Sequence, residues 1–460
     1  MNVATRIAPV LALATLAGTL DAKTLVVAKN GPFPTIQSAI DAADSGDKVL
    51  IKPGIYFERP AIIGKNDFEL RGTGAVIIDG RGLGSLGDGP AVSIEAHDVV
   101  LRGLTIRNAR AAQNVPNSIG AGVSCVGDAL ALKQVRIENC TRAAVIKGNY
   151  LRVDDCKITN GRIDVDGDDA RIDDSSFTNC DNSAIDIQGN YGRVTDCVID
   201  TVTDGAAVLV DGDEVIVRDV TIRNVESEGI EVLGSKATIQ RCKLKGIGAH
   251  AINVHGALAV IEKARVEHAE SGILVFGANA EVARCRIEEI FDGHGISLMG
   301  APNSKIVDNQ VRSVTGSGIS LENASDGSQI VGNVVQRCAN ESYGGIRAIS
   351  ANLLIANNTT KDNARSGLSV GGDGCIVDGL IATRNGQDGL EVELGTGIRV
   401  ENVLATKNLR HGVANFAPGL ELRNSVLAAN RVDLANTGTI ATLSNVTFES
   451  GSVNFAVELD

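Results

Sequence analysis

Tryptophan is absent from the 460-residue chain, aromatic residues make up 3% of it, and there are only two methionines. Broad aromatic platforms of the kind that stack sugars or bases are therefore scarce. Positive charge is short as well, with 43 Lys and Arg against 56 Asp and Glu, for a net charge of −13. That balance argues against nucleic acid as a partner and against an anionic membrane surface. An anionic polysaccharide would need a local basic patch or a bridging cation to approach. After residue 22 no apolar run reaches the roughly 18 residues of a membrane span. Proline is sparse, at nine residues, so extended ladders keep their donors. The nine cysteines include no Cys-x-x-Cys pair, which removes a common zinc spacing.

What the chain has is glycine, 52 residues of it, and a repeated sentence. Between Thr203 and Met299 the copies begin at Val215, Ala237, Ala259 and Ala280. Each carries short alternating β-branched runs, two polar kinks and a Gly-Ile-x-Val strand. A unit of roughly 20–29 residues made only of short strands cannot bury its own apolar face, so it must coil and stack on its neighbours. The expected fold is all-β, a single solenoid of roughly eighteen rungs over residues 23–460.

Residues 1–22 have the layout of a secretory signal: Arg6, an apolar run from Ala8 to Leu20, and Ala22 as a cleavage residue. The expected location is secreted or periplasmic. Next, Ile36, Ala39, Ile40 and Ala43 fall on one helical face, with Gly46 as the stop. A lone amphipathic helix ahead of a strand array is suited to cap the exposed edge of the first rung.

The run from Thr35 to Ala43, with Gly46-Asp-Lys-Val-Leu-Ile-Lys-Pro-Gly-Ile-Tyr after it, resembles the opening of the pectin-lyase-like right-handed parallel β-helix superfamily. The resemblance implies a right-handed coil with a short N-terminal capping helix. It further implies a polysaccharide partner and chemistry on an outer sheet face.

In the register of the repeats one inward column reads Leu104, Val135, Cys156, Ser175, Cys197, Val220, Cys242, Ala264, Cys285, Asn309, Asn333 and Asn358. It is expected to continue through Gly379, Asn402, Asn424 and Asn445. Alternate rungs lie about 9.6 Å apart, beyond the roughly 7 Å a disulfide spans. The thiols are thus expected to be small buried hydrophobes, and stacked Asn to form an amide ladder. Irregular segments at 80–90 and 109–119 precede strands of one side, as insertions on a binding face do.

The outward residues of the Gly-Ile-x-Val strands supply the candidate chemistry. Asp164, Asp166, Asp186 and Asp211 fall within two or three rungs, a cluster of carboxylates expected to lack a basic partner. Stacked carboxylates repel one another, so an oxygen-bound Ca²⁺ is expected there. Calcium also sits on this face in the pectate-lyase branch that the chain resembles. Lys147, one rung before Asp166, is the best placed base for a lyase, with Arg162 and Arg193 as alternatives. At the turn before the strand, Glu228, His250, Ser271 and His294 form a column, flanked by Glu270 and Asp292. Carboxylate and imidazole one rung apart can serve as general acid and base. Gly293-His294-Gly295 resembles the Gly-His-Gly motif of polygalacturonases, although the Asp-Asp pair of that family is missing here. Glu231, Asn253 and His255 on the same face are candidates for binding substrate.

These features predict an exported enzyme, a lyase or hydrolase of an acidic glycan. The alternative is a non-catalytic carbohydrate-binding or structural surface protein, favoured by the shortage of aromatics. Over residues 300–445 the outer face is expected to be mostly serine and small residues.

Overall fold

The computed structural model describes residues 22–81, 89–110, 120–322, 324–338, 344–449 and 453–455. The segment expected to be a signal, apart from its last residue, and most of the irregular segments at 80–90 and 109–119 lie outside them. Each repeat folds into short strands that pair in parallel with their counterparts one repeat later, giving a solenoid of about 18 turns. One turn consists of Ile163–Asp166, Arg171–Asp173 and Ser176–Cys180. It stacks on Ile185–Gln188, Arg193–Thr195 and Val198–Val202. Strand alternation buries Ile163 and Val165 and turns Asp164 and Asp166 outward. Among the described residues no helix is long and apolar enough to cross a membrane.

The helix Ile36–Ala42 forms as expected, with Thr35 and Ser38 in a reciprocal capping box and Ile36, Ala39 and Ile40 buried. Glu58 accepts the backbone N–H groups of Ile36 and Gln37 and so ties the helix start to the coil. At the other end, Val453–Phe455 pairs with Leu434, Ala435 and Asn436 and continues the outer-face sheet.

Between the second and third strands of each turn the chain bends through one left-handed residue, Asp174 (φ 48) in the turn above. This conformation costs a non-glycine residue about 1–2 kcal/mol, and Asn and Asp tolerate it best. The inward residue follows directly. That order corrects the expected column beyond Asn358. Gly379, Asn402, Asn424 and Asn445 occupy the left-handed position (φ 69, 54, 48 and 53). The buried residues are Leu380, Val403 and Ser425, one place later. Asparagine suits both the left-handed bend and the inward ladder, so the slip was invisible in the spacing.

The expected amide ladder runs through Asn309, Asn333 and Asn358. Asn333 gives both its backbone N–H and its side-chain amide to Asn358 Oδ1, at 3.0 and 3.1 Å. A second ladder, missed in the sequence, continues the column of Cys338. It links Asn363, Asn385, Asn408 and Asn430 by amide contacts of 3.0, 3.0 and 2.9 Å. Stacking is equally strict at the bend after the outer-face strand. A Cβ on Gly212 would stand 1.9 Å from the Gly189 carbonyl oxygen, so only glycine fits.

All nine cysteines are buried and free, as the register predicts. Burial pushes the thiols of Cys180, Cys197, Cys242, Cys285 and Cys338 up to about 12, where they carry almost no thiolate at neutral pH. We expect iodoacetamide to leave the native protein unmodified and to alkylate every thiol in denaturant, read by intact mass. Labelling of a native thiol would contradict this packing.

Candidate functional site

The outer face starts from strands Arg142–Lys147, Ile163–Asp166, Ile185–Gln188 and Val208–Asp211. Their register aligns Val145, Asp164, Asp186 and Leu209 in one row. Lys147, Asp166, Gln188 and Asp211 form the next. Asp164 and Asp186 are thus direct neighbours, while Gln188 separates Asp166 from Asp211. The four aspartates do share one face. A cleft of about 260 Å³ opens over three of them, Asp164, Asp166 and Asp186, and is lined as well by Arg142, Lys147, Arg162 and Gln188; Asp211 lies outside it.

The sequence reading of carboxylates without a basic partner is corrected here. Asp164 is paired with two guanidinium groups, Arg142 Nε at 3.2 Å and Arg162 Nε at 2.8 Å. Arg162 lies two residues upstream of Asp164, outside the two outward rows, and so escaped the column comparison. The pairing does not exhaust Asp164: its two buried oxygens lack hydrogen bonds of good geometry. Asp186 titrates above the ordinary aspartate range. Burial is the main cause and the negative charge of Asp164 the second; the two arginines work the other way. Neighbouring carboxyl groups thus stand in unequal environments, one in contact with two cations and one half-buried and biased towards its protonated form.

These residues do not fit a calcium site. Calcium takes six to eight oxygen ligands, whereas two guanidinium groups already face Asp164. Among the described residues no group of three or more His, Cys, Asp or Glu is arranged to hold a metal ion. We expect added calcium or a chelator to leave the melting temperature unchanged; a calcium-dependent rise lost in Asp164→Ala/Asp186→Ala would overturn that assignment.

The second predicted cluster does form a column. The Gly229 N–H bonds to the His250 carbonyl, His250 registers with Ser271, and the Gly272 N–H bonds to the His294 carbonyl. Ser271 therefore stands between the two histidines and holds them about two rungs, roughly 9.6 Å, apart. Glu228 accepts the Ser227 hydroxyl. No hydrogen bond or ion pair joins Glu228 to His250 among the described residues, and His250 Nδ1 is buried without a hydrogen-bond partner. His294 Nδ1 accepts the Ser317 N–H at 3.0 Å, and burial lowers its pKa, which favours neutral imidazole. The carbonyl of Glu270 accepts the N–H groups of Asp292 and Gly293, and Asp292 is exposed.

Between these clusters Glu231 pairs with Asn253 across neighbouring rungs. His255 Nε2 lies 3.5 Å from Glu231 Oε1, and its ring stacks on Phe276 at 5.0 Å and 16°. The stack makes a flat surface that composition had argued against; its signal was an aromatic residue in the same row one repeat after His255. Further along, the expected face of serine and small residues is interrupted by Arg347, Glu391 and Glu393 around a cavity of about 360 Å³.

No curated protein sequence matches the chain. Among solved structures, the PL6 family polysaccharide lyase Pedsa3628 from Pseudopedobacter saltans is 12% identical, with a TM-score of 0.46 over 69% of this chain and 85% of that one. PfbA, a surface adhesin of Streptococcus pneumoniae, is also 12% identical, with a TM-score of 0.38 over 87% and 92%. The periplasmic alginate epimerase AlgG is 11% identical, with a TM-score of 0.31 over 88% and 79%. A family model described as the right handed beta helix region matches residues 54–235 and 205–350. With that match spanning more than half its length, the chain belongs to the right-handed β-helix family.

Proposed function

We propose that the chain is an exported enzyme that cleaves an acidic polysaccharide by hydrolysis in the cleft over Asp164 and Asp186. One observation carries the reading: two carboxyl groups on neighbouring rungs, one flanked by two guanidinium groups and the other held above the ordinary aspartate range by burial and by its neighbour's charge. An unequal pair of this kind suits an acid and a second carboxylate at a glycosidic bond. Asp186 serves as proton donor to the leaving oxygen. Asp164, beside Arg142 and Arg162, is the carboxylate that activates water or stabilises positive charge at the sugar. Lys147 and the arginine edges receive the substrate's own carboxylate, which meets the requirement for a basic patch on an acidic protein. Glu231, Asn253 and the His255–Phe276 stack lie further along the same face, where adjoining sugar units would pass.

A non-catalytic binding protein is the second reading, favoured by the two guanidinium groups that engage Asp164. Incubation with a panel of uronate polymers separates them. Hydrolysis releases reducing ends without unsaturated uronate. Elimination, with Lys147 as the base, produces ultraviolet-absorbing unsaturated ends. Binding without either product supports the second reading, and neither binding nor cleavage across the panel defeats both.

A further inference from the structure

The outer face carries a second set of open polar groups far from the first cleft. From Asp186 one row runs unbroken through Leu209, Glu231, Asn253, Leu274, Ser297, Ser320, Arg347 and Ser369 to Glu391. Nine parallel pairings at about 4.8 Å each place Glu391 about 43 Å from Asp186. Arg347, Arg365, Ser366, Ser369, Glu391 and Glu393 line the cavity of about 360 Å³ at that end.

A surface ion-pair network would close on itself, and this one does not. Arg347 comes no nearer than 3.4 Å to Glu322 and 3.9 Å to Glu393. Neither Arg347 nor Glu393 makes a hydrogen bond among the described residues, although both side chains are about two-thirds buried. Glu391, by contrast, is held by the hydroxyls of Ser366 at 2.8 Å and Ser369 at 3.2 Å. Beneath it Asp388, fully buried, is gripped by Arg410 and by the His411 N–H and Nδ1 at 3.0 and 2.8 Å. The floor is therefore tied down by hydrogen bonds, while the Arg347 fork and the Glu393 carboxyl, joined only by long ion pairs, keep their hydrogen-bonding capacity for a ligand. The fork matches a carboxylate through two parallel hydrogen bonds, and paired carboxyl groups match sugar hydroxyls.

We propose that this cavity is a second binding site for the same acidic glycan, so that one polymer chain is held at two points of a single face. The inference rests on the reading of that face as a glycan track. Two linked contacts raise avidity by 10²–10⁴ over either alone when the ligand spans both.

The test is calorimetric titration on an Asp186→Asn background, to suppress turnover. The probes are a uronate oligosaccharide too short to bridge the two sites and its parent polymer. The background protein should bind two short chains. Lys147→Glu should remove one of them, and Arg347→Ala/Glu393→Gln the other. Either change should weaken polymer binding at least 100-fold. Arg347→Lys keeps the charge and the fold but loses the fork, and should weaken the second site alone. One short chain bound, indifferent to Arg347 and Glu393, overturns the second site and leaves the first standing. One chain lost only with Arg347 and Glu393 defeats the first cleft and upholds the second. Binding at neither defeats both.

Discussion

Asp186→Asn should lower turnover on an acidic glycan by about 10²–10⁴-fold, the usual contribution of a positioned proton donor. The same substitution should make the protein more stable at neutral pH. The sign follows from the raised pKa of Asp186. In the folded state the protonated form is favoured, so stability declines as pH rises from the unfolded aspartate value through the higher folded one. Asparagine removes the half-buried charge beside Asp164 and with it that decline. Denaturant midpoints of variant and parent should therefore separate at neutral pH and converge in acid, where the carboxyl is protonated in both states. Loss of activity together with gain of stability is the mark of a group kept for chemistry at the expense of the fold. If Asp186→Asn cleaves as fast as the parent, Asp186 is not the acid. If it is also less stable at neutral pH, the local environment described here is wrong.

The second large effect lies in the core. Asn408→Ala should destabilise the C-terminal half by about 3 kcal/mol or more, since each buried group left unpaired costs about 1–3 kcal/mol. Asn408 Oδ1 accepts both the backbone N–H and the side-chain amide of Asn385 at 3.0 Å. Its own amide bonds to the Ala382 carbonyl at 3.1 Å and to Asn430 at 2.9 Å. Alanine strands two donors and a carbonyl where water does not reach. Cys242→Ala on a comparable rung removes a small side chain with only weak sulfur contacts to backbone carbonyls, and should cost much less. A solenoid unfolds by segments, so hydrogen exchange should show the loss around residues 360–436 and spare the rungs before 300. Equal costs for the two substitutions would mean that the amide ladder contributes no more than shape.

The coil was readable because strand alternation and the repeat length are local. Asp164 and Asp186 could be placed on one face, and the cysteines kept apart, from counting alone. Counting failed where one residue type serves two positions: Asn402, Asn424 and Asn445 look like a continuing ladder yet occupy left-handed bends. It failed again where partners come from outside the columns compared. Arg142 reaches Asp164 from the start of the preceding rung's strand and Arg162 from just ahead of its own, and Arg365 and Glu393 join Arg347 and Glu391 from other rows. The His255–Phe276 stack needed two unlike rings from successive repeats to meet.

The order of residues along the chain is enough to specify a β-helix, most of the inward side chains, and the carboxylates that share the outer face. Those properties follow from a two-residue strand period and a near-constant repeat, both written along the chain. Which charges meet, which polar groups lack close partners, and that burial biases Asp186 towards its protonated form emerge from the folded arrangement. Coulomb attraction and desolvation act through space and depend on burial, so side chains from different turns must be assembled before either has a sign.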